Sequence, residues 1–139
     1  MAQGYGLTET SAGSTCMDEY DITVGRSGAP LTTASIKLVN WEEGNYYVTN
    51  KPFPQGEVII GGGMIADGYF KMEAETAENF YDEDGVRWFR SGDIGEVHKD
   101  GSLKIIGEFL WMYFWHRMNN FWPFWGSNST FLIQIWIFY

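Results

Sequence analysis

An abrupt change in composition near Gly107 constrains this sequence more than any other feature. In the 32 residues from 108 to 139, 13 side chains are aromatic, and only Glu108 and Arg117 carry a formal charge. The preceding 107 residues contain 12 aromatic side chains and all but one of the 17 glycines. Such a shift marks a boundary. Residues 1–107 have the composition of a globular domain, and one continuous fold over the whole chain is not expected.

The aromatic tail, residues 108–139, matches neither kind of membrane-associated helix. A transmembrane helix needs about 20 consecutive apolar residues, and His116, Arg117 and Pro123 interrupt the apolar run. An interfacial helix carries Lys or Arg along one face, which Arg117 alone does not supply. We predict that the tail is not part of the folded unit and that it is either intron-derived or disordered. A true alternative exon remains open.

The charge and cysteine content exclude two classes of protein. Acidic residues number 18 against 9 basic ones, which gives a formal charge of −9. Binding to a nucleic-acid backbone needs clustered Lys and Arg, so no nucleic-acid partner is expected. The single cysteine, Cys16, excludes an intramolecular disulfide. The first residues lack the basic start and apolar run of a secretory signal.

The pattern within residues 1–107 predicts short strands, turns and one helix. β-Branched and apolar residues predict three strands, at residues 34–39, 56–60 and 87–90. Residues 94–106 predict a hairpin with Asp100 and Gly101 as a two-residue turn, both at positive φ. The segment EAETAENF predicts a short helix over residues 73–80 that Phe80 anchors. The predicted fold is mainly β and mostly antiparallel, with one short helix.

The sequence GYGLTET, which begins at Gly4, is the first candidate ligand-binding segment. Gly4 and Gly6 allow close approach of the backbone to a flat ligand, and Tyr5 could stack on a base or pack in the core. Thr8 offers a hydroxyl to a phosphate oxygen, and Glu9 offers a hard carboxylate oxygen of the kind that Mg²⁺ prefers. Composition alone favours a plain turn with an exposed glutamate.

A second candidate is Asp93, which follows Ser91 and Gly92 at the start of the predicted hairpin. Its carboxylate could accept two hydrogen bonds from a ribose diol, or it could cap a turn. Residues 11–15 (SAGST) look superficially like a phosphate cradle but lack the Lys and the following helix of a P-loop. His98 is predicted to be a solvated strand residue.

Five motifs in order resemble one family. They are QGYGLTET at 3–10, GRSGAP at 25–30, GEVIIGG at 56–62, GYFK at 68–71 and RWFRSGDIGEVHKDGSLKIIG at 87–107. They resemble the acyl-CoA synthetases of the adenylate-forming, AMP-binding superfamily, especially the long-chain fatty acid–CoA ligases. KLVNWEEGNYYVTNKPFPQGEVIIGG at 37–62 resembles the arachidonate-preferring animal branch. The resemblance covers nearly all of residues 3–107.

The resemblance implies a fold and a two-step reaction. Residues 1–107 would be a piece of the α/β large domain of the family, with its distorted antiparallel β-barrel subdomain, incomplete here, at about residues 22–106. The carboxylate of a long-chain fatty acid attacks the α-phosphate of ATP to give acyl-adenylate and pyrophosphate. The thiol of CoA then displaces AMP. The cofactors implied are ATP or AMP and Mg²⁺, with CoA as co-substrate.

The resemblance also assigns roles to particular residues. Tyr5 matches the aromatic residue that stacks on adenine, and Gly4 and Gly6 match backbone that lines the adenylate and acyl pocket. Thr8 matches the hydroxyl that contacts phosphate, and Glu9 matches the carboxylate that holds Mg²⁺. These two are the candidate catalytic residues. Asp93 matches the acid that binds the ribose hydroxyls, and the preceding Ser91 replaces the more usual Thr.

Three departures from the family limit these expectations. The upstream phosphate loop and most of the acyl tunnel of the family have no counterpart in this sequence. The hinge Asp of the family corresponds to Gly107, and the following Arg corresponds to Glu108. The tripeptide Gly-Glu-Phe at 107–109 can be encoded as GGTGAGTTT, which contains the splice-donor sequence GTGAGT. Intron read-through would therefore explain the tail, which is unrelated to the family.

The expected function is that of a fragment of an AMP-forming long-chain fatty acid–CoA ligase, inactive by itself. The family resemblance implies peripheral or anchored membrane association, at the cytosolic face of the endoplasmic reticulum or the mitochondrial outer membrane. The alternative is a non-catalytic truncated isoform that binds membranes or partner proteins through the aromatic tail.

Overall fold

The computed structural model describes residues 3–108, which are mainly β with one α-helix. The predicted fold class is therefore confirmed. A small antiparallel sheet contains β1 (Gly4–Tyr5), β2 (Thr15–Cys16) and β3 (Ala29–Pro30). A larger antiparallel sheet contains β4 (Ser35–Val39), β5 (Gln55–Gly61), β6 (Phe80–Glu83), β7 (Val86–Val97) and β8 (Leu103–Glu108). The predictions for the tail after Glu108 lie outside the described residues.

The 12-residue strand β7 organises the larger sheet. Its first half pairs with β5 on one side and with β6 on the other, and its second half pairs with β5 and with β8. The strand order is β4-β5-β7-β6, with β8 beside β7. This sheet is open over the described residues, as expected for an incomplete barrel.

Apolar side chains from the larger sheet, together with Ile65 from the segment after β5, form the core. Its buried members are Val58, Ile60, Ile65, Phe80, Phe89 and Leu103. Antiparallel pairing places directly opposite residues on the same face, and Ile60 is opposite both Ile36 and Phe89. The aromatic ring of Phe89 also contacts that of Phe80, with 4.8 Å between centroids. The alternation of β5 therefore directs Val58 and Ile60 into this cluster, whereas Ile59, which is also fully buried, is not part of it.

The helix α1 (Glu73–Asn79) agrees with the prediction except at its end. Phe80 begins β6 instead of closing the helix, although it is buried as an anchor, with 5% exposure. The sequence does not predict strand β6 because FYDE is short and its last two residues belong to the acidic run Asp82-Glu83-Asp84, which resembles an exposed turn. No helix among residues 3–108 is long and apolar enough to cross a membrane.

The predicted two-residue turn at Asp100 and Gly101 is wrong. Only Gly101 has positive φ, at 84°, and the loop spans five residues between the paired Val97 and Leu103. A two-residue turn instead joins β6 to β7, where Asp84 and Gly85 have φ of 52° and 76°. The carboxylate of Asp100 accepts hydrogen bonds from Ser102, which stabilises the longer loop.

Candidate functional site

The segment that carries Tyr5, Thr8 and Glu9 is shaped by the buried hydroxyl of Thr10. A 3₁₀ turn covers Thr8–Thr10. The Thr10 Oγ1 accepts the Leu7 N–H at 2.9 Å and donates to the Leu7 carbonyl at 3.1 Å. The Thr10 side chain is fully buried, so its hydrogen bonds are shielded from water. Thr10 therefore fixes the turn on which the candidate residues lie.

Gly6 is required by a close approach of backbone within the same segment. A Cβ at this position would lie 2.2 Å from the carbonyl oxygen of Ala12. The Ala12 N–H donates to the Leu7 carbonyl at 2.9 Å, and the Ser14 N–H donates to the Tyr5 carbonyl at 3.0 Å. The chain thus folds back on itself directly above Gly6. This packing alone accounts for a glycine here.

Asp93 lies in an irregular stretch of β7. The pairing with β5 shifts between Glu57 and Ile59, and Gly92 takes a φ of 69°. The Ser91 hydroxyl donates to the Val58 carbonyl at 2.7 Å and accepts the Asp93 N–H at 3.0 Å. This irregularity changes the direction of the strand at Asp93, as β-bulges next to functional sites do. The Ser91 hydroxyl therefore has a structural role, because it binds the backbone of β5 and the backbone N–H of Asp93. The resemblance to the family motif did not reveal this role.

The structure brings Tyr5 and Asp93 together although 88 positions separate them. The Tyr5 hydroxyl donates to Asp93 Oδ2 at 2.5 Å, and both residues are half-buried. The Tyr5 side chain also packs against the core cluster. Tyr5, predicted to stack on the base, and Asp93, predicted to bind the ribose, are thus neighbours. The order of the motifs in the sequence did not by itself require this contact.

Glu9 is paired with Tyr69, a residue for which no role was predicted from sequence. The Tyr69 hydroxyl donates to Glu9 Oε1 at 2.9 Å. Burial raises the pKa of Tyr69 well above its usual value, and the hydrogen bond to Glu9 and its negative charge add to the increase. The hydroxyl is therefore a stable donor at neutral pH. The motif GYFK contains Tyr69, but only the tertiary fold shows the partner.

The other predicted features fall into three groups. Thr8 is exposed, so its hydroxyl is accessible to a ligand. The SAGST segment is no phosphate cradle, since Ser11 donates to the Met64 carbonyl and Ser14 donates to Thr10. The prediction for His98 is wrong. Its side chain is only 11% exposed, and its ring centroid lies 4.1 Å from that of Phe53.

A groove of about 480 Å³ lies elsewhere, between the small sheet and the loop before β8. It is lined by residues that include Met17, Asp21, Leu31 and Asp100, and it contains none of the predicted site residues. The chemistry of the candidate site resides in the two tyrosine–carboxylate pairs, so we place the site there and not at the groove.

The donor set around Glu9 fits Mg²⁺ only with help from a ligand. Residues 3–108 contain no group of three His, Cys, Asp or Glu side chains that could hold a metal ion. Mg²⁺ is commonly bound through one or two carboxylates plus substrate phosphates and water. Glu9, as one carboxylate beside the exposed hydroxyl of Thr8, fits a metal that arrives with a nucleotide.

Comparisons with known proteins agree with this architecture. The AMP-binding enzyme family matches residues 1–70, half of the chain. Long chain acyl-CoA synthetase 8 from Arabidopsis thaliana is 50% identical over 107 residues, which are 76% of this chain and 15% of the plant protein. The peroxisomal long chain acyl-CoA synthetase 6 of the same plant is 43% identical over 106 residues, again 76% of this chain and 15% of the relative.

Solved structures agree in fold. A long-chain-fatty-acid–CoA ligase from Archaeoglobus fulgidus matches with a TM-score of 0.64 and 30% identity, over 77% of this chain and 21% of that one. The O-succinylbenzoate coenzyme A synthetase of Bacillus subtilis, solved with ATP and magnesium, matches with a TM-score of 0.59 and 25% identity, over 75% of this chain and 20% of that one.

These matches define the class: this chain belongs to the AMP-binding enzyme family. Within that family its relatives are long-chain acyl-CoA synthetases. The chain spans about 15% of the length of these relatives.

Proposed function

We propose that residues 1–107 are the adenine-side portion of the large domain of an AMP-forming long-chain fatty acid–CoA ligase. The observation that carries the proposal is the hydrogen bond between Tyr5 and Asp93, at 2.5 Å. It joins an aromatic ring and a carboxylate, the two groups that an adenosine needs for its base and its ribose. In a chain of the AMP-binding family, this juxtaposition favours a nucleotide as the ligand.

Each site residue has a task in the proposed reaction. Tyr5 stacks on the adenine ring, and Asp93 accepts hydrogen bonds from the ribose diol. Gly4 and Gly6 keep the backbone close to the adenylate. Thr8 donates its hydroxyl to a phosphate oxygen. Together these contacts orient the α-phosphate toward the fatty acid carboxylate, and such orientation is a large part of rate enhancement.

Glu9 would hold Mg²⁺ through a carboxylate oxygen. When bound, the metal neutralises negative charge that develops on the phosphate oxygens. The substrates are ATP, CoA and a long-chain fatty acid, and the products are acyl-CoA, AMP and pyrophosphate. Membership of the arachidonate-preferring animal branch belongs to the same proposal, as does membrane association at the endoplasmic reticulum or mitochondrial outer membrane.

The 139-residue chain alone is proposed to be inactive. It spans about 15% of the Arabidopsis relative, and residues 3–108 form two antiparallel sheets and the turn that carries Thr8 and Glu9. Two half-buried carboxylates and an exposed hydroxyl cannot enclose both an acyl chain and a triphosphate. An incomplete site cannot hold the reacting groups in their reactive orientation, so the rate enhancement that comes from positioning them is lost.

The alternative of a non-catalytic isoform that binds membranes through its tail depends on residues 108–139. Nearly all of that segment lies outside the described residues, and no observation within residues 3–108 favours it.

A chimera tests the proposal. Residues 3–107 would replace the matching segment of the Arabidopsis relative, and acyl-CoA formation would be measured with ATP, CoA and a series of long-chain fatty acids that includes arachidonate. Tyr5→Ala, Glu9→Ala and Asp93→Ala should each lower kcat/KM by roughly a hundredfold, as expected for removing one group that binds the reacting nucleotide. Tyr20→Ala is the matched control, because Tyr20 is 84% exposed.

The outcomes separate cleanly. An active chimera whose rate survives all three alanine substitutions would show that the assigned residues do not bind the nucleotide. Measurable acyl-CoA formation by the unmodified 139-residue chain would overturn its proposed inactivity.

A further inference from the structure

Tyr69 lies in a well-fixed part of the structure between β5 and α1. Its backbone N–H donates to Thr76 Oγ1 at 2.9 Å. Its ring meets the buried ring of Phe80 edge-on, with 5.3 Å between centroids and an interplanar angle of 76°. An edge-to-face pair of this kind is a favourable aromatic arrangement. The hydroxyl of Tyr69 is therefore held at a defined position.

The same segment holds Glu9 at two points. The Ala66 N–H donates to the Glu9 carbonyl at 2.9 Å, and the Tyr69 hydroxyl donates to Glu9 Oε1 at 2.9 Å. One contact fixes the backbone and the other fixes the carboxylate. A glutamate side chain has three rotatable bonds and loses substantial freedom when it is ordered. Tyr69 removes that freedom before any ligand arrives.

We propose that Tyr69 is a positioning residue that fixes the Glu9 carboxylate through Oε1 and leaves Oε2 to serve as the ligand of a nucleotide-associated Mg²⁺. The inference rests on the proposed function, because it needs Glu9 to be the metal-binding carboxylate. Hydrogen-bonded partners of metal-binding carboxylates orient their ligands, and their loss commonly costs 10–100-fold in metal affinity or activity.

The first experiment uses the full 139-residue chain without nucleotide. The chain is labelled with ¹³C at glutamate carboxyls, and Glu9→Gln identifies the Glu9 resonance by its loss. Tyr69→Phe keeps the ring but removes the hydroxyl, so we expect the Glu9 resonance to shift and to show side-chain averaging. Tyr81→Phe is the control and should leave it unchanged. An unchanged Glu9 resonance in Tyr69→Phe would overturn the proposed restraint.

The second experiment measures Mg²⁺ dependence in the active chimera. For Tyr69→Phe we expect the Mg²⁺ concentration at half-maximal rate to rise about tenfold or more, with the rate largely recovered at saturating Mg²⁺. Calorimetry should show the same loss in affinity for ATP with Mg²⁺, but none for ATP in EDTA. A merely structural role would lower the melting temperature and the rate at every Mg²⁺ concentration.

Glu9→Gln distinguishes the two proposals. If it leaves the Mg²⁺ dependence unchanged, Glu9 is not a metal ligand, and both its proposed role and that of Tyr69 fail. If Glu9→Gln abolishes the Mg²⁺ dependence of the rate while Tyr69→Phe leaves that dependence as in the parent chimera, the role of Glu9 stands and the inference for Tyr69 is wrong. If both proposals are right, the variant that combines Glu9→Gln with Tyr69→Phe loses no more Mg²⁺ affinity than Glu9→Gln alone.

Discussion

The larger sheet and the ligand loop, residues 4–14, are held by different kinds of interaction. In the sheet, the most deeply buried side chains are aliphatic: Val58, Ile59, Ile60, Ile94 and Leu103 are each at most 2% exposed. In the loop, the fully buried side chains are Thr10 and Ser14, and both are polar. The sheet is stabilised by removal of apolar surface from water. The loop depends on hydrogen bonds of defined geometry.

The difference shows how the candidate site is assembled. The loop makes its own turns, but two distant parts of the chain fix its side chains. Asp93 of β7 accepts a hydrogen bond from Tyr5, and Tyr69 donates one to Glu9. Both tyrosines also pack against the core of the sheet. The sheet therefore acts as a platform on which a polar loop is aligned, and each part can be perturbed separately.

The largest expected effect is the loss of stability when a core side chain of the larger sheet is truncated. Ile60→Ala deletes a fully buried side chain at the centre of the core cluster. The free energy of unfolding should fall by about 2–5 kcal/mol, since a cavity remains where the atoms were. Urea denaturation of the 139-residue chain, followed by far-UV circular dichroism, measures this change.

Ile22→Ala is the control for the core truncation, because Ile22 is 93% exposed. Its unfolding free energy should stay within about 0.5 kcal/mol of the parent chain. Equal effects of the two substitutions would show that the sheet does not form the stable core described above.

The second prediction perturbs the loop and spares the platform. Gly6→Ala places a methyl group against the Ala12 carbonyl, so the loop must open, at a cost of about 1–3 kcal/mol. We expect faster hydrogen exchange at Ser14, whose N–H is bonded to the Tyr5 carbonyl, while β5 amides keep their protection. Gly63→Ala is the matched control, because no atom beyond its own residue and its two chain neighbours lies within 4 Å of its Cβ position. Uniform loss of protection across β5 would contradict a separable loop.

The sheet was more predictable from sequence than the loop, for a physical reason. The segments at 34–39 and 56–60 are rich in β-branched residues, and they correspond to β4 and β5 almost residue for residue. The family resemblance singled out Tyr5, Glu9 and Asp93. It could not show which side chains meet, because the contacts Tyr5–Asp93 and Tyr69–Glu9 span 88 and 60 positions.

The two Asp-Gly pairs illustrate the same limit. Asp84-Gly85 forms a two-residue hairpin turn, whereas Asp100-Gly101 lies in a five-residue loop. Local propensity is the same for both pairs. The difference is that Asp100 binds Ser102 and is also paired with Arg26, at 2.7 Å across 74 positions. A local pattern cannot contain that distant partner.

The third prediction tests whether a single hydroxyl shapes the loop. Thr10→Val keeps the size of the side chain but removes the hydroxyl that accepts the Leu7 N–H and donates to its carbonyl. Stability should fall by about 1–2 kcal/mol, because buried polar groups lose their partner. Thr8→Val, at an exposed position of the same turn, is the control and should change stability little. Equal urea midpoints for the two variants would remove Thr10 from its organising role.

The smallest expected effect concerns the loop before β8 and its pH dependence. The hydrogen bond from the Ser102 hydroxyl, then that from the Ser102 N–H and the charge of Arg26, lower the pKa of Asp100 below its usual 3.8. A carboxyl whose pKa is lower in the folded state contributes stability above its unfolded pKa, and the contribution is lost as pH falls through the folded pKa. Asp100→Asn should therefore be slightly less stable than the parent chain at pH 7, and the two should converge in acid below 3.8. Because this side chain is exposed, the difference should be smaller than any predicted above.

Ser102→Ala removes the hydroxyl whose hydrogen bond is the largest cause of the lowered Asp100 pKa. It should therefore reduce the pH-dependent part of the stability difference, which urea titrations at a series of pH values can measure. A gap that widens as the pH falls would reverse the assigned sign.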